Sequence, residues 1–170
     1  MSGFDVSSQT VRDSNSRLIA LALALKAWAF RLRVSRSYPA RLASIPAAAF
    51  YRALSLYVIG FDIPTSVVVG EGLVIHHGIG LVVNDRAVIG RNVTLRHNTT
   101  IGAVSVQEAA PQLGDNVDVG ANVVVLGPVV IGPGAVLGAG SVVVRDVPAG
   151  ATVVGNPAKE IRPISTEDAN

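Results

Sequence analysis

The sequence predicts an all-β fold, a parallel β-helix of six-residue repeats, preceded by a short α-helical segment. Three observations carry that expectation. From Ile63 onward an aliphatic residue followed by a small one recurs every six residues. An amphipathic helix repeats at about 3.6 residues and a half-buried strand at about 2, so a sustained period of six fits neither. It fits triangular coils with one hexapeptide per side, about 18 residues per turn. The composition agrees: 49% hydrophobic, 15% charged and 17 Gly describe many small apolar units rather than a disordered chain. Finally, the residues before Ile63 lack the period and are rich in Ala and Leu, which favour helix.

Taken in chain order, residues 1–58 form the helical N-terminal segment, residues 59–154 the β-helix, and residues 155–170 an irregular C-terminal tail. The stretch SNSRLIALALALKAWAFRLRV reads as one helix, with Ser14 or Asn15 as its cap and SYP as its stop at Pro39. Its apolar run, residues 18–30, is broken by Lys26 and is shorter than the roughly 20 residues that a bilayer span needs. A second helix over about residues 40–57 contains Pro46, which is expected to kink or split it. In the β-helix the repeats start at Val69-Gly70, Ile75-His76, Ile89-Gly90 and Ile101-Gly102. They resume at Leu113-Gly114, Val119-Gly120, Ile131-Gly132 and Leu137-Gly138, with Leu95 and Val125 keeping phase. Each aliphatic residue is expected to point inward and stack on its equivalent one coil away. AVSVQEAAPQ, residues 103–112, breaks the pattern and reads as an extruded loop.

Charge is unevenly divided. Residues 1–56 hold eight Lys/Arg against two Asp/Glu, and the remainder six against ten. The basic residues are scattered among Leu and Ala with little aromatic interleaving, which argues against nucleic acid as a partner. The helical start is either a cap packed on the solenoid or on a neighbouring subunit, or a basic surface for peripheral contact with an anionic membrane leaflet. With no Cys, disulfides and thiolate chemistry are unavailable. The N-terminus does not show a secretory-signal pattern, so a cytoplasmic location, peripheral to the inner membrane if the helices touch it, is expected.

The chemistry-bearing residues sit where the six-phase slips. Ile75 begins a hexad and the next clear start, Val83, lies eight residues on, so two extra residues bulge out within GIGLVVN. Counting from there, His77 and His97 both occupy the third position of their units, one coil apart. Their imidazoles should share one face. A histidine suits general-base work near neutral pH, and a carboxylate on its other nitrogen fixes the tautomer. Asp62 precedes His77 by 15 residues, close to one coil, and can lie beneath it. The plainer readings are surface histidines, and an Asp62 that only caps the turn at DIP.

IGRNVTLRHNTTIG, IGPGAVLGAGSVVVRDVP and VVGNPAKEI resemble the hexapeptide-repeat acyltransferases, whose β-helix is left-handed. DIPTSVVVGEGLVIHHGIGLVVNDRAVIG is similar to the serine acetyltransferase branch. The doubled His and RHNTTIG look most like the colanic-acid-type exopolysaccharide O-acetyltransferases. The resemblance covers about residues 60–162. It implies acetyl-CoA as co-substrate, no metal, and a homotrimer with sites between subunits. It also implies catalytic roles for His77 as general base and Asp62 as its partner; backbone N–H groups or His97 are the candidate oxyanion donors. His76 stands where the serine enzymes carry Asp and becomes an acceptor contact. Gly120, Ala121, Gly138 and Ala139 offer small residues along which pantetheine can run, and Lys159 in GNPAK a cation for a CoA phosphate. The glycines can equally be corners required by the repeat. The serine enzymes place an Arg-His pair near the loop; here Ala109-Ala110 stands there, which favours a neutral sugar hydroxyl over serine. Serine acetylation is the first alternative. A zinc carbonic anhydrase of the same fold, using three histidines, and a non-catalytic scaffold follow.

Overall fold

The computed structural model describes residues 14–105 and 109–161. Helix α1 spans Ser14–Val34 and α2 Tyr38–Ala53, the latter running on as a π-helical stretch, Leu54–Ile59. Of the kink or split expected at Pro46, the split does not occur: α2 continues through it. Pro46 and Leu42, whose carbonyl loses its helical donor there, both lie on the exposed side, where water can satisfy that oxygen.

The solenoid then begins. Strands β1 (Val68–Val69), β4 (Val88–Ile89), β7 (Gln112–Leu113) and β10 (Val130–Ile131) stack in parallel as one side. A second side holds β2 (Val74–His76), β5 (Thr94–Arg96), β8 (Asp118–Val119), β11 (Val136–Leu137) and β13 (Thr152–Val154). The third holds β3 (Val82–Val83), β6 (Thr100–Gly102), β9 (Val124–Leu126) and β12 (Val142–Val143). This is the parallel β-helix that the period of six predicted. The expected inward residues are inside: Ile75, Ile89, Leu95, Ile101, Leu113, Val119, Val125, Ile131 and Leu137 are all buried. A second inward residue lies two positions before each, among them Val93, Val117, Val123 and Ala135. So each side contributes two layers to the core, not one.

Register shows where the coils swell. Leu113 pairs with Ile131, 18 positions on, as a plain coil requires, whereas Ile89 pairs with Leu113, 24 positions on. The surplus is the loop after β6; residues 106–108 of that loop lie outside the described residues. Ile75 pairs with Leu95, 20 positions on, and Val83 with Ile101, 18 on, which places the two extra residues between β2 and β3. The start of the tail is ordered, unlike the irregular tail expected: β14 (Lys159–Ile161) turns back and pairs antiparallel with β13. Its chain reversal closes one end of the side carrying β2 and β5.

The helices close the other end. Ile19, Ala22, Tyr51 and Ile59 join the solenoid core. Two polar groups tie the helices to the first coil: Tyr51 Oη donates to the Ile63 carbonyl at 2.6 Å, and Lys26 Nζ to the Val67 carbonyl at 2.9 Å. Lys26 is only 6% exposed, and burial pushes its ammonium pKa down to about 8 from 10.5. Below about pH 8 the fold carries a desolvated charge that the unfolded chain would solvate. Between about 8 and 10.5 the unfolded chain holds a proton that the folded one has released, so stability rises with pH across that window. Urea unfolding at about pH 7 and about pH 10 should show this rise, with a slope of at most about 1.4 kcal/mol per pH unit, and Lys26→Met should flatten it. An unchanged pH profile in Lys26→Met would refute the assignment.

Candidate functional site

The site forms at the corner between the second and third sides. His76 ends β2, and its register partner in the next coil is Arg96, which ends β5. His77 and His97 follow these two residues directly, and their rings lie edge to face with centroids 6.4 Å apart and planes at 71°. The structure thus brings together the two rings that share the third position of their hexads. His77 turns the corner in the left-handed conformation, φ 51°. The other non-glycine residues with positive φ among the described residues are all asparagines: Asn92, Asn98, Asn116 and Asn122. Histidine, like asparagine, is among the residues enriched in that conformation. His77 is exposed and makes no hydrogen bond or ion pair with the described residues, while His97 is half-buried. The bulge after His77 rests on the coil beneath: Gly78 sits so close to Phe61 that an added Cβ would come within 3.2 Å of the ring.

Asp62 is not where the 15-residue spacing put it. Its register partner is Val82, with Asp62 N–H donating to Leu81 O and Val83 N–H to Asp62 O, both at 2.8 Å. It therefore lies under the third side, past the corner, because the bulge makes this coil longer than the count assumed. Its carboxylate is held by Arg52 of α2, Nη1 to Oδ1 at 2.5 Å and Nη2 to Oδ2 at 3.4 Å. No hydrogen bond or ion pair joins it to His77. The orienting pair expected from sequence is replaced by an Arg52–Asp62 pair on the coil directly below the bulge. Asp62 also helps burial to raise the pKa of the neighbouring Tyr51 hydroxyl, burial being the larger cause. Arg52 escaped the sequence reading because it lies in a helix outside the repeat. The clue was its place in the last turn of α2, ten residues before Asp62.

His76 is exposed on the strand, beside Arg96. Arg96 is itself committed to Asp118 and to the Val119 carbonyl. Among the described residues, no three of His, Asp and Glu converge as metal ligands.

The residues read as donor contacts fall on the same corner line. Thr94 pairs with Asp118, and Asp118 with Val136. Counting on in that register sets His97, Ala121 and Ala139 at successive coils of one corner. Backbone hydrogen bonds follow it: Asn122 N–H to His97 O at 3.1 Å and Gly140 N–H to Ala121 O at 2.8 Å. A Cβ on Gly120 would lie 2.6 Å from Ala139 N, and one on Gly138 2.6 Å from Val154 Cγ1. Backbone stacking alone therefore demands glycine at Gly120, whereas at Gly138 the obstacle is a side-chain methyl. At Gly140 an added Cβ would meet nothing within 4 Å, so the surface beside Ala139 is open and small, as an extended ligand needs. Lys159 is exposed at the start of β14, opposite Val154. Ala110 is buried and Ala109 exposed, and neither side chain carries a polar group.

Comparisons with known proteins agree with the fold. A model of the bacterial transferase hexapeptide (six repeats) matches residues 110–145. The chain is 38% identical over 115 residues to the "Putative colanic acid biosynthesis acetyltransferase WcaB" of Escherichia coli K12, covering 67% of this chain and 71% of that one. The chain belongs to the hexapeptide-repeat transferases. It is also 41% identical over 113 residues to serine acetyltransferase 2 of Arabidopsis thaliana, matching 65% of its own length but only 35% of the plant protein. Among solved structures, this hexapeptide transferase superposes on a serine acetyltransferase of Brucella abortus in complex with coenzyme A, with a TM-score of 0.69 and 27% identity, covering 84% of this chain and 55% of that one. The family thus includes both branches that the sequence resembles.

Proposed function

We propose that this chain is an acetyl-CoA-dependent O-acetyltransferase acting on a sugar hydroxyl of a bacterial exopolysaccharide or its precursor, with His77 as general base. The facing His77–His97 pair, aligned with an open run of small residues, is the observation that supports it. The acceptor hydroxyl approaches His77; as its oxygen bonds to the thioester carbonyl carbon, its proton passes to the imidazole. The tetrahedral oxyanion takes a hydrogen bond from His97 or from backbone N–H groups. The carbon–sulfur bond then breaks, and the departing thiolate takes the proton back from His77. No covalent enzyme intermediate is needed. Asp62 is held by Arg52 on the coil below and is not hydrogen-bonded to the imidazole, so in this reading His77 works without an orienting carboxylate.

Acetyl-CoA fits the residues present. Ala121 and Ala139 with Gly140 leave room for pantetheine, and Lys159 offers a point charge to a phosphate. A homotrimer, the usual assembly of the family, would close this groove with a neighbouring subunit. The enzyme would work in the cytoplasm, on an acceptor carried at the inner leaflet.

Serine is the competing acceptor, favoured by the likeness to the plant enzyme. A zwitterion needs charged partners for both ends, and here His76 and the Ala109-Ala110 stretch stand where those partners are expected. Thiol release from acetyl-CoA with serine and with polysaccharide-derived sugars separates the two. Turnover should favour sugar over serine by about 10²-fold or more. Preference for serine would overturn the acceptor assignment, and no thiol release with either acceptor would overturn the enzyme.

A further inference from the structure

The helical cap is built inside out. Helix α2 turns Ser44 and Tyr51 toward the fold, and its π-helical continuation turns Ser55 inward, where they are buried. Its apolar side chains face outward: Tyr38, Leu42 and Ile45 follow one another at helical spacing, and Tyr57 and Val58 continue the exposed surface, Tyr57 at 87% exposure. Helix α1 does the same more mildly. Leu18, Leu21 and Trp28 form an exposed stripe, while Ile19, Ala22, Lys26 and Ala29 pack inward. Normal amphipathicity would put these apolar groups inside. An exposed apolar surface of this extent marks an interaction site.

Charge identifies the partner. Residues 14–61 contain no Asp or Glu. Arg17, Arg31, Arg33, Arg36 and Arg41 are all exposed around the apolar stripes. Arg33 and Arg41 also line a groove between the two helices with Tyr38, Leu42 and Ile45. A second copy meeting this face through a twofold axis would set arginine against arginine with no acid to offset them. An anionic bilayer offers apolar depth and negative headgroups together, and arginine stems cover apolar surface while their guanidinium groups reach phosphate. Tyr38–Ile59, 22 residues, is long and apolar enough by composition to cross a membrane, with a mean hydropathy of 1.4 over its most apolar 18 residues. Its buried polar side, and Arg41 and Arg52, favour a helix that lies along the surface.

We infer that the outer face of α1 and α2 docks on an anionic lipid surface. This goes beyond the proposed reaction and does not depend on it. Trp28, the chain's single tryptophan, sits half-exposed in the α1 stripe and reports on it directly. The full chain, at low salt, should sediment with phosphatidylcholine vesicles containing phosphatidylglycerol and not with pure phosphatidylcholine vesicles. Trp28 emission should shift to the blue on binding, and high salt should release the protein. The triple variant R33E, R36E and R41E should bind about 10²-fold more weakly or worse, while keeping the wild-type circular dichroism and thiol release with a soluble acceptor. Leu42→Asp with Ile45→Asp tests the apolar half: the blue shift should shrink. No sedimentation with phosphatidylglycerol vesicles overturns the inference. So does equal binding to phosphatidylcholine, or an oligomer whose mass by light scattering halves in the charge-reversed variant, which would make a second copy the occupant. If vesicles bind and no acetyl transfer occurs, the docking stands and the proposed reaction falls.

Discussion

His77→Asn should lower kcat/KM by about 10²–10⁴-fold, the range that a positioned general base contributes. Asparagine is the informative replacement because of the backbone. His77 holds φ 51°, and four asparagines hold the other non-glycine positive-φ corners described here. Asparagine tolerates that conformation better than alanine, which would add strain of its own. The corner is kept and only the base is lost. The exposed side chain carries no hydrogen bond with the described residues that its removal could break, so the melting temperature should stay close to wild type. Affinity for CoA, measured by calorimetry, should also hold, because the base acts on the acceptor's proton rather than on donor binding. His97→Asn should cost less in rate than His77→Asn while leaving the same two controls untouched, as a single oxyanion donor would. If His77→Asn transfers acetyl groups within threefold of the wild-type rate, the proton goes elsewhere and the mechanism is wrong.

The repeat was legible because its physics is local and periodic. Every sixth residue must fill a shared interior and the next must clear the following coil, so Ile89-Gly90 or Ile131-Gly132 announces itself without any long-range knowledge. The His77–His97 pairing was legible for the same reason: both positions could be counted along one period. Asp62 was misplaced because counting fails across an insertion. Two residues added between Ile75 and Val83 lengthen the coil, and Asp62 lands under Val82, not under His77. Arg52 was invisible because its contact crosses from helix to solenoid and no repeat encodes it. Being part-exposed, that ion pair is worth at most about 1 kcal/mol to stability, so its presence reflects position more than folding energy. The helices were recognised from composition. Their inverted faces were not, because α1 is apolar around its whole circumference and composition alone cannot say which side packs.

Leu95→Ala should be the most damaging single truncation in the coil that carries His97. Leu95 is completely buried in β5, stacked on Ile75 of β2, with Val119 the buried equivalent in the next coil. Removing its isobutyl group loses burial and leaves a cavity that stacked, hydrogen-bonded coils cannot close, at a cost of about 2–5 kcal/mol. For a chain of this size that corresponds to a fall in Tm of roughly 5–15 °C. A volume-conserving Leu95→Met should cost less than about 1.5 kcal/mol. The pair of variants separates register from chemistry. In a solenoid each coil leans only on its neighbours, so the loss falls on the coils bearing His77, His97 and Ala121, and kcat should drop along with stability in Leu95→Ala but not in Leu95→Met. Were Leu95→Ala to melt like the wild type, Leu95 would point outward, every inward assignment along β5 would shift by one residue, and the two imidazoles would no longer share a corner.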